Sequence, residues 1–163
     1  MGKPGRAATP AVAAAVAAGI DHEVLEYPHD PRNHDFGAEA VAAMGGRAAP
    51  EQVFKTLVLA LPRGLAVAVL PVPSKLSLKA AAAALGAPKA TMADPAAAQR
   101  SSGYVLGGIS PLGQRRPLPT VLDASALEFD RMLCSAGRRG LEIALAPADL
   151  ISLTGAVVAS ITA

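Results

Sequence analysis

The sequence predicts a single mixed α/β domain of the α+β type, built on a strongly curved β-sheet with short helices around it. Strand-like and short helix-like segments alternate irregularly along 163 residues, a length that one ordinary domain accounts for. Apolar runs such as 53–61 and 65–70 also lie too close together in the chain for a crossover helix to join them. Such neighbours must pair as hairpins, which favours a mixed sheet.

Five helices are expected because each candidate segment opens on a capping residue or a proline. Ser, Thr and Asp side chains accept hydrogen bonds from the free N–H groups of a first helical turn, and proline tolerates that turn. Glycine accommodates the turn that ends a helix. These signals predict helices at about 10–18, 36–44, 78–85 and 95–101 and another from 147, with caps at Thr9, Asp35, Ser77 and Asp94.

Seven strands are expected from short aliphatic and β-branched segments bounded by turn residues. The segment 103–119 is rich in Gly, Pro and Ser and has no helical or strand period, so it predicts a long ordered loop. Residues 1–8 are expected to form a flexible tail and residues 9–163 the domain. The predicted strands span about 22–27, 53–61, 65–70, 120–123, 130–134, 141–145 and 156–162.

Composition excludes several protein classes. Hydrophobic residues make up 52% of the chain, which is too many for a disordered protein. The longest uncharged stretches, 101–114 and 150–163, are shorter than the roughly 18–20 apolar residues that span a bilayer, and no signal peptide opens the chain. The lone Cys134 is expected to be a small buried apolar residue. We therefore expect a cytoplasmic protein with no membrane partner.

Charge by itself does not identify a ligand. The net charge of +2 is too small to indicate nucleic-acid binding. Residues 1–52 carry four Lys and Arg against seven Asp and Glu, and the remainder carries eleven against six. A basic remainder is compatible with a polyphosphate ligand and with an ordinary solvated surface, and both interpretations stay open.

The common catalytic and cofactor motifs are absent from the sequence. It contains neither the GxxxxGK[ST] phosphate loop nor the GxGxxG dinucleotide motif. The run 108–113 lacks the spacing of a nucleophile elbow and has a proline where the following helix would begin. His22, His29 and His34 have neither the helical spacing nor the cysteines of a zinc site. No cofactor and no metal are expected.

Lys55 is the most informative single residue. Alternation along the strand 53–59 places its side chain on the same face as Val53, Leu57 and Leu59. An ammonium on an apolar face costs free energy unless it reaches water or an anion. One interpretation is a lysine whose charged end extends to solvent at the strand's edge. The other is a cation at the mouth of a pocket, directed at a phosphate or a developing oxyanion.

Two loops are further candidates for a binding site. The run 107–113 has three glycines in seven residues, which permits close approach of its backbone N–H groups to a ligand. The run 134–140 leaves a strand and enters a basic turn flanked by glycines. Each is either a structural turn or a contact to an oxyanion or a phosphate, and the residues alone do not decide.

These features occur together, and in this order, in one known family. The chain resembles the YbaK/EbsC family, the free-standing relatives of the prolyl-tRNA synthetase editing domain, over about residues 9–161. Within that family it is most similar to the Cys-tRNA(Pro) deacylase branch. The segments that carry the resemblance are 9–12, 27–30, 36–37, 53–57, 65–71, 84–87, 93–95, 99–101, 103–104, 107–114, 118–120 and 135–141.

The resemblance implies an editing-domain-like pseudo-barrel whose pocket hydrolyses the ester of a wrongly charged aminoacyl-tRNA. In this branch the substrate's own cysteine thiol attacks its carbonyl, so the protein positions the ester. The implied partners are the acceptor end of tRNA(Pro) and prolyl-tRNA synthetase, with no DNA. Deacylation of another species such as Ala-tRNA(Pro), and a non-catalytic tRNA-binding or nucleotide-binding module, stay open as alternatives.

The resemblance also assigns roles to residues of this chain. Lys55 is expected to hold the terminal phosphate or ribose, the glycine loop to stabilise the oxyanion, and Ser135 to position the aminoacyl group. Ala136 stands where the family often has glycine, and Arg138 and Arg139 replace a Lys-Arg pair. The implied catalytic residues are Lys55, Gly107, Gly108 and Ser135, and the implied substrate-binding residues are Tyr27, Phe36, Thr56, Ser110, Arg138 and Arg139.

Overall fold

The computed structural model describes residues 9–163, so the predicted tail at residues 1–8 lies outside the described residues. The helices are α1 (Pro10–Ala17), α2 (Phe36–Met44), α3 (Leu78–Ala84), α4 (Pro95–Ser102) and α5 (Pro147–Thr154). The strands are β1 (His22–Glu26), β2 (Phe54–Leu61), β3 (Gly64–Pro71), β4 (Thr91–Met92), β5 (Thr120–Asp123), β6 (Met132–Arg138), β7 (Leu141–Leu145) and β8 (Val157–Ala159).

The predicted capping residues begin the helices. Thr9 Oγ1 accepts from the Val12 N–H at 3.2 Å, and the other three caps each accept from the N–H three residues further on. These bonds satisfy N–H groups that have no partner inside the helix. Helices α4 and α5 end at Gly103 and Gly155, both in the left-handed conformation. The predicted helix starts are therefore confirmed.

The strands form two sheets that meet. The smaller sheet has the antiparallel order β1-β7-β6, and the larger has the order β4-β2-β3-β5-β8. In the larger sheet β2 and β3 form the predicted antiparallel hairpin, whereas β3–β5 and β5–β8 are parallel. A bridge between Val53 and Leu133 joins the two sheets beside the start of β2. The predicted mixed α/β fold is confirmed, and this junction positions the site described below.

Three strands differ from the prediction. The last strand is shorter than expected, because the Ile161 N–H leaves the sheet and donates to the Asp123 carboxylate at 3.0 Å. Strand β6 is longer than expected, since it continues past a bulge between Ser135 and Arg138. Strand β4 was not predicted, because two residues are too few to show an alternating pattern.

The main hydrophobic core lies between the two sheets and α1. It takes one face of β2, through Phe54 and Val58, while Leu57 and Leu59 pack into a second cluster with α3. Cys134 is fully buried in the main core, so its predicted role as a buried apolar residue is confirmed. Within residues 9–163, every helix is too short or too polar to cross a membrane.

Candidate functional site

A cavity of about 400 Å³ opens where the two sheets meet, beside the N-terminus of α2 and the glycine-rich loop. Its size is that of a small-ligand pocket. Six residues that the resemblance implied for the site contribute to its wall. These residues are Tyr27, Phe36, Lys55, Thr56, Gly107 and Ser135.

Lys55 lies in the wall of this cavity, and a hydrogen bond fixes its ammonium group. It is the second residue of β2, and its Nζ donates to the Ser74 carbonyl at 2.6 Å. Burial lowers the pKa of Lys55, and the nearby Asp35 carboxylate opposes that shift. An ammonium carries three N–H donors, so one fixes the side chain and two are left for a ligand. Asp35, which was predicted only as a helix cap, also lines the cavity.

Thr56 contributes a hydroxyl with no partner. Its Oγ1 is buried and makes no hydrogen bond to any residue within the described part of the chain. A buried polar atom without a partner costs about 1–3 kcal/mol, a cost that a ligand atom could remove. The orphaned hydroxyl therefore points to a polar group of a bound molecule.

The glycine loop reaches the cavity through Gly107. This residue has a φ of +81°, and a Cβ on it would lie 2.6 Å from the Phe36 ring, so only glycine lets the loop and the ring pack together. Among the described residues, the Gly107 N–H makes no hydrogen bond to a backbone carbonyl. That N–H is available to a ligand.

Gly108, for which the resemblance implied a catalytic role, lies outside the cavity wall. Its N–H donates to the Val105 carbonyl at 2.9 Å, closing a turn within the loop. A Cβ on it would lie 2.7 Å from the Cα of Arg138. The N–H that the resemblance implied as an oxyanion donor is therefore engaged within the loop, and Gly108 packs against the β6–β7 turn.

Ser110 is also absent from the cavity wall. The residue is fully buried, and its Oγ accepts from the Leu112 N–H at 3.1 Å. The Gln114 side-chain amide donates to the Ser110 carbonyl at 2.9 Å. These bonds fold the loop on itself and engage Ser110 inside it, and the substrate contact that the resemblance implied for Ser110 stays a prediction.

Ser135 and Glu142 form a cross-strand pair in the cavity wall. Ser135 lies at the start of the β6 bulge, and its Oγ accepts from the Gly137 N–H at 3.1 Å. Glu142 is only 6% exposed, and burial raises its pKa to about 8. A neutral carboxylic acid can donate a hydrogen bond into the cavity. Glu142 was not among the predicted site residues, although it is the one charged residue in the apolar strand 141–145.

Tyr27 contributes a phenol whose pKa lies above its ordinary value. Burial, then the charges of Glu142 and Glu39, raise the pKa of Tyr27 to about 12. Its backbone N–H donates to the Gly140 carbonyl at 2.9 Å, which fixes the end of β1 against the basic turn. The cavity therefore has a neutral phenol on its wall at physiological pH.

The Phe36 ring lies at the mouth of the cavity, where α2 begins. The guanidinium carbon of Arg139 lies 4.7 Å from the centre of this ring, a cation–π distance. Arg139 Nε also donates to the Leu106 carbonyl at 2.8 Å. Arg138 instead pairs with Glu26 at 2.8 Å. Both arginines are exposed and stand outside the cavity wall, with Arg139 touching its rim.

No residue of the cavity wall forms a nucleophile–base pair within the described chain. Cys134 is fully buried in the core, outside the cavity, and burial raises its pKa far above the ordinary value. The wall contains Ser135 but no histidine. Across residues 9–163, no three His, Cys, Asp or Glu side chains are grouped to hold a metal ion. The cavity can bind and polarise a ligand with a cation and several neutral donors, next to the Asp35 carboxylate.

We expect the Glu142→Gln variant to lose part of the pH dependence of stability. Because the folded-state pKa of about 8 exceeds the ordinary 4.5, the folded protein holds this proton more tightly than the unfolded chain. The stability that this proton contributes is complete below about pH 4.5 and is lost as the pH rises through about 8, by about 1.4 kcal/mol for each pH unit between the two pKa values. Glutamine does not titrate, so the variant should gain stability relative to wild type towards pH 9.

Urea unfolding at pH 5 and pH 9 measures this difference. The control is Glu23→Gln, which removes an exposed carboxylate and should keep the wild-type pH dependence. Equal pH dependence in Glu142→Gln and wild type would contradict a buried carboxyl with a raised pKa.

Comparison with known proteins gives a consistent result. A profile of the aminoacyl-tRNA editing domain matches residues 34–153. A protein of Enterococcus faecalis, EbsC, named as a candidate Cys-tRNA(Pro)/Cys-tRNA(Cys) deacylase, is 37% identical over 138 residues, or 84% of each chain. A solved structure described as a candidate trans-editing enzyme for prolyl-tRNA synthetase matches with a TM-score of 0.78 at 27% identity, over 98% of this chain and 94% of that one.

A scaffold protein solved for the computational grafting of epitopes matches as well, with a TM-score of 0.82 at 26% identity over 94% of this chain and 95% of that one. The family profile covers well over half of the chain, and the identity to EbsC extends across most of it. The resemblance to the YbaK/EbsC family is thereby confirmed, and the chain belongs to the aminoacyl-tRNA editing domain family.

Proposed function

We propose that this protein is a trans-editing deacylase that removes cysteine from mischarged Cys-tRNA(Pro), with residues 9–163 as the editing domain. The observation that carries the proposal is the cavity itself. It brings a held ammonium, an orphaned hydroxyl and a free loop N–H together around about 400 Å³, without a nucleophile–base pair on the described wall. The name given to the Enterococcus faecalis relative supports the choice of substrate.

Such a site suits a substrate that brings its own nucleophile. The cysteinyl thiol, as thiolate, attacks its own ester carbonyl, so a C–S bond forms and the ester C–O bond breaks. The thiol proton ends on the departing ribose oxygen, and the amino acid leaves as a four-membered thiolactone that water opens to cysteine. No external oxidant, metal or protein nucleophile is needed, and the protein contributes by orienting the thiol.

The residues of the wall have distinct tasks in this proposal. The two remaining N–H donors of Lys55 hold the terminal ribose or phosphate, and the Gly107 N–H stabilises the tetrahedral oxyanion. Ser135 positions the aminoacyl group beside Glu142, which in its neutral form donates a hydrogen bond to the substrate. Thr56 gains in the substrate the partner that it lacks within the protein.

A separate deacylase is needed because synthetases discriminate poorly between small amino acids. A pocket separates side chains that differ by one methylene by only about 1–3 kcal/mol. Prolyl-tRNA synthetase, whose errors the protein would correct, is the proposed functional partner. Both would act in the cytoplasm, where tRNA is charged.

We expect Cys-tRNA(Pro) to lose its amino acid much faster than Ser-tRNA(Pro) or Ala-tRNA(Pro) in the presence of the protein. A serine hydroxyl is a weaker nucleophile than a thiolate, and alanine supplies none. Release of radiolabelled amino acid from the three charged tRNAs, measured against the uncatalysed rate, tests this order.

The same measurement separates the alternatives. Faster release from Ala-tRNA(Pro) would assign a different substrate and exclude cleavage by the substrate's own thiol. Binding of all three charged tRNAs without any acceleration of ester loss would assign a binding module in place of an enzyme.

A further inference from the structure

A second and larger groove, of about 880 Å³, lies at the opposite end of the β2–β3 hairpin. It shares no lining residue with the cavity described above. Strand β2 connects the two sites, with Lys55 near its start and Arg63 just beyond its end. Four arginines line the groove, and none of its described lining residues is acidic. These arginines are Arg63, Arg100, Arg115 and Arg116.

The arginines project from a fixed backbone. Arg63 occupies the tight turn between β2 and β3, and Arg100 lies in the last turn of α4. The backbone N–H groups of Arg115 and Arg116 donate to the Ser102 and Ser101 carbonyls at 2.9 and 3.1 Å. The glycine-rich loop is therefore tied to the end of α4, so these residues converge on one groove.

The four guanidinium groups carry uncompensated charge. Within residues 9–163 none of them forms an ion pair or a side-chain hydrogen bond, whereas Arg131 and Arg138 each bind a carboxylate at 2.7–2.8 Å. Like charges gathered in one place repel each other. A bound anion would remove that repulsion, and the bidentate geometry of arginine suits phosphate.

Ser101 provides an independent sign of a ligand. This lining residue is 8% exposed, and its buried Oγ has no hydrogen-bond partner among the described residues. Its position is fixed by α4, and its carbonyl accepts from the Arg116 N–H. Ser101 therefore adds an unpartnered hydroxyl to a groove that four arginines line, and hydroxyl and guanidinium groups both donate to anionic oxygens.

We propose that this groove binds the sugar–phosphate backbone of the tRNA at a distance from the aminoacyl ester. The extended strand runs six residues from Lys55 to Leu61, which lines the groove, and this corresponds to about 20 Å. A single terminal nucleotide in the cavity does not reach that far, so the groove holds phosphates elsewhere on the same molecule. The choice of tRNA as the ligand rests on the proposed function, whereas the anion site rests on the groove alone.

The test compares two doubly substituted proteins that lose equal charge. Arg115→Gln/Arg116→Gln removes two groove arginines, and Lys79→Gln/Lys89→Gln removes two exposed lysines outside both sites. Binding of uncharged tRNA is measured as a function of salt concentration. Loss of two phosphate contacts should lower affinity about tenfold and reduce the slope of log K against log[salt] by about two. The lysine variant should bind like wild type.

Arg63→Gln, in an exposed hairpin turn, is a second variant that keeps the test valid if the first does not fold. It should reduce the salt slope by about one. Equal binding by the arginine variants and the lysine variant would overturn the proposal. Binding of inorganic tripolyphosphate that depends on these arginines, with tRNA binding unchanged, would also overturn it in favour of a small-anion site. Because uncharged tRNA is the probe, failure here is distinct from absence of deacylase activity.

Discussion

The Lys55→Ala variant is expected to lose about 10²–10³-fold in kcat/KM for Cys-tRNA(Pro) while its fold stays intact. Loss of a directed donor to a developing charge costs about 2.7–4 kcal/mol in comparable sites. Lys55 is the ammonium of the cavity wall, and its Nζ is held by the Ser74 carbonyl within reach of a ligand. The change removes the ammonium and its hydrogen bond to the Ser74 carbonyl. The effect should therefore appear in the deacylation rate and not in folding.

Single-turnover release of cysteine from Cys-tRNA(Pro) measures this effect, with circular dichroism and thermal melting as the check on the fold. The matched control is Lys79→Ala, which removes an exposed lysine on α3 and should retain full activity. Lys55→Met preserves most of the packed side chain and should be as inactive as Lys55→Ala. Turnover at the wild-type rate in either Lys55 variant would exclude its proposed role.

The fold was predictable where local chemistry fixes it. Capping by Thr9 or Asp94 depends on hydrogen bonds within three residues of each helix start, and the hairpin depends on a short turn between two apolar runs. The bulge after Ser135 and the departure of the chain at Ile161 depend on partners from distant parts of the chain. Such contacts leave no local pattern, so these boundaries were misplaced.

As with the fold, part of the candidate site could be predicted from local sequence patterns and part could not. Alternation along β2 identified Lys55 as a cation among apolar neighbours, and the structure places it in a cavity wall. Glu142 was not predicted, although the argument used for Lys55 also applies to it. It is a charged residue in the apolar strand 141–145. The internal roles of Gly108 and Ser110 could not be predicted, because glycine-rich loops form hydrogen bonds that no sequence period reveals.

The Gly107→Ala variant is expected to lower the rate of deacylation about 10²-fold. The free energy of unfolding should change less than the activation free energy of deacylation. A Cβ at this position would lie 2.6 Å from the Phe36 ring, and the φ of +81° disfavours any side chain. Either the loop or the ring must therefore move at the mouth of the cavity. A displacement of about 1 Å in a positioning group costs about 10²-fold in rate, and the Gly107 N–H is the proposed oxyanion donor.

Gly86→Ala is the control that separates backbone strain at a positive φ from displacement of the loop or the ring at the cavity. Gly86 has a similar φ of +72°, but a Cβ there meets nothing within 4 Å, so this variant should lose stability and keep its activity. Combining Gly107→Ala with Phe36→Leu relieves the contact with the ring and should recover part of the rate. If Gly107→Ala deacylates as fast as Gly86→Ala, the loop does not contribute to the reaction. If the double variant is no faster than the single one, relief of the contact with the ring does not restore the rate, and displacement by that contact does not explain the loss.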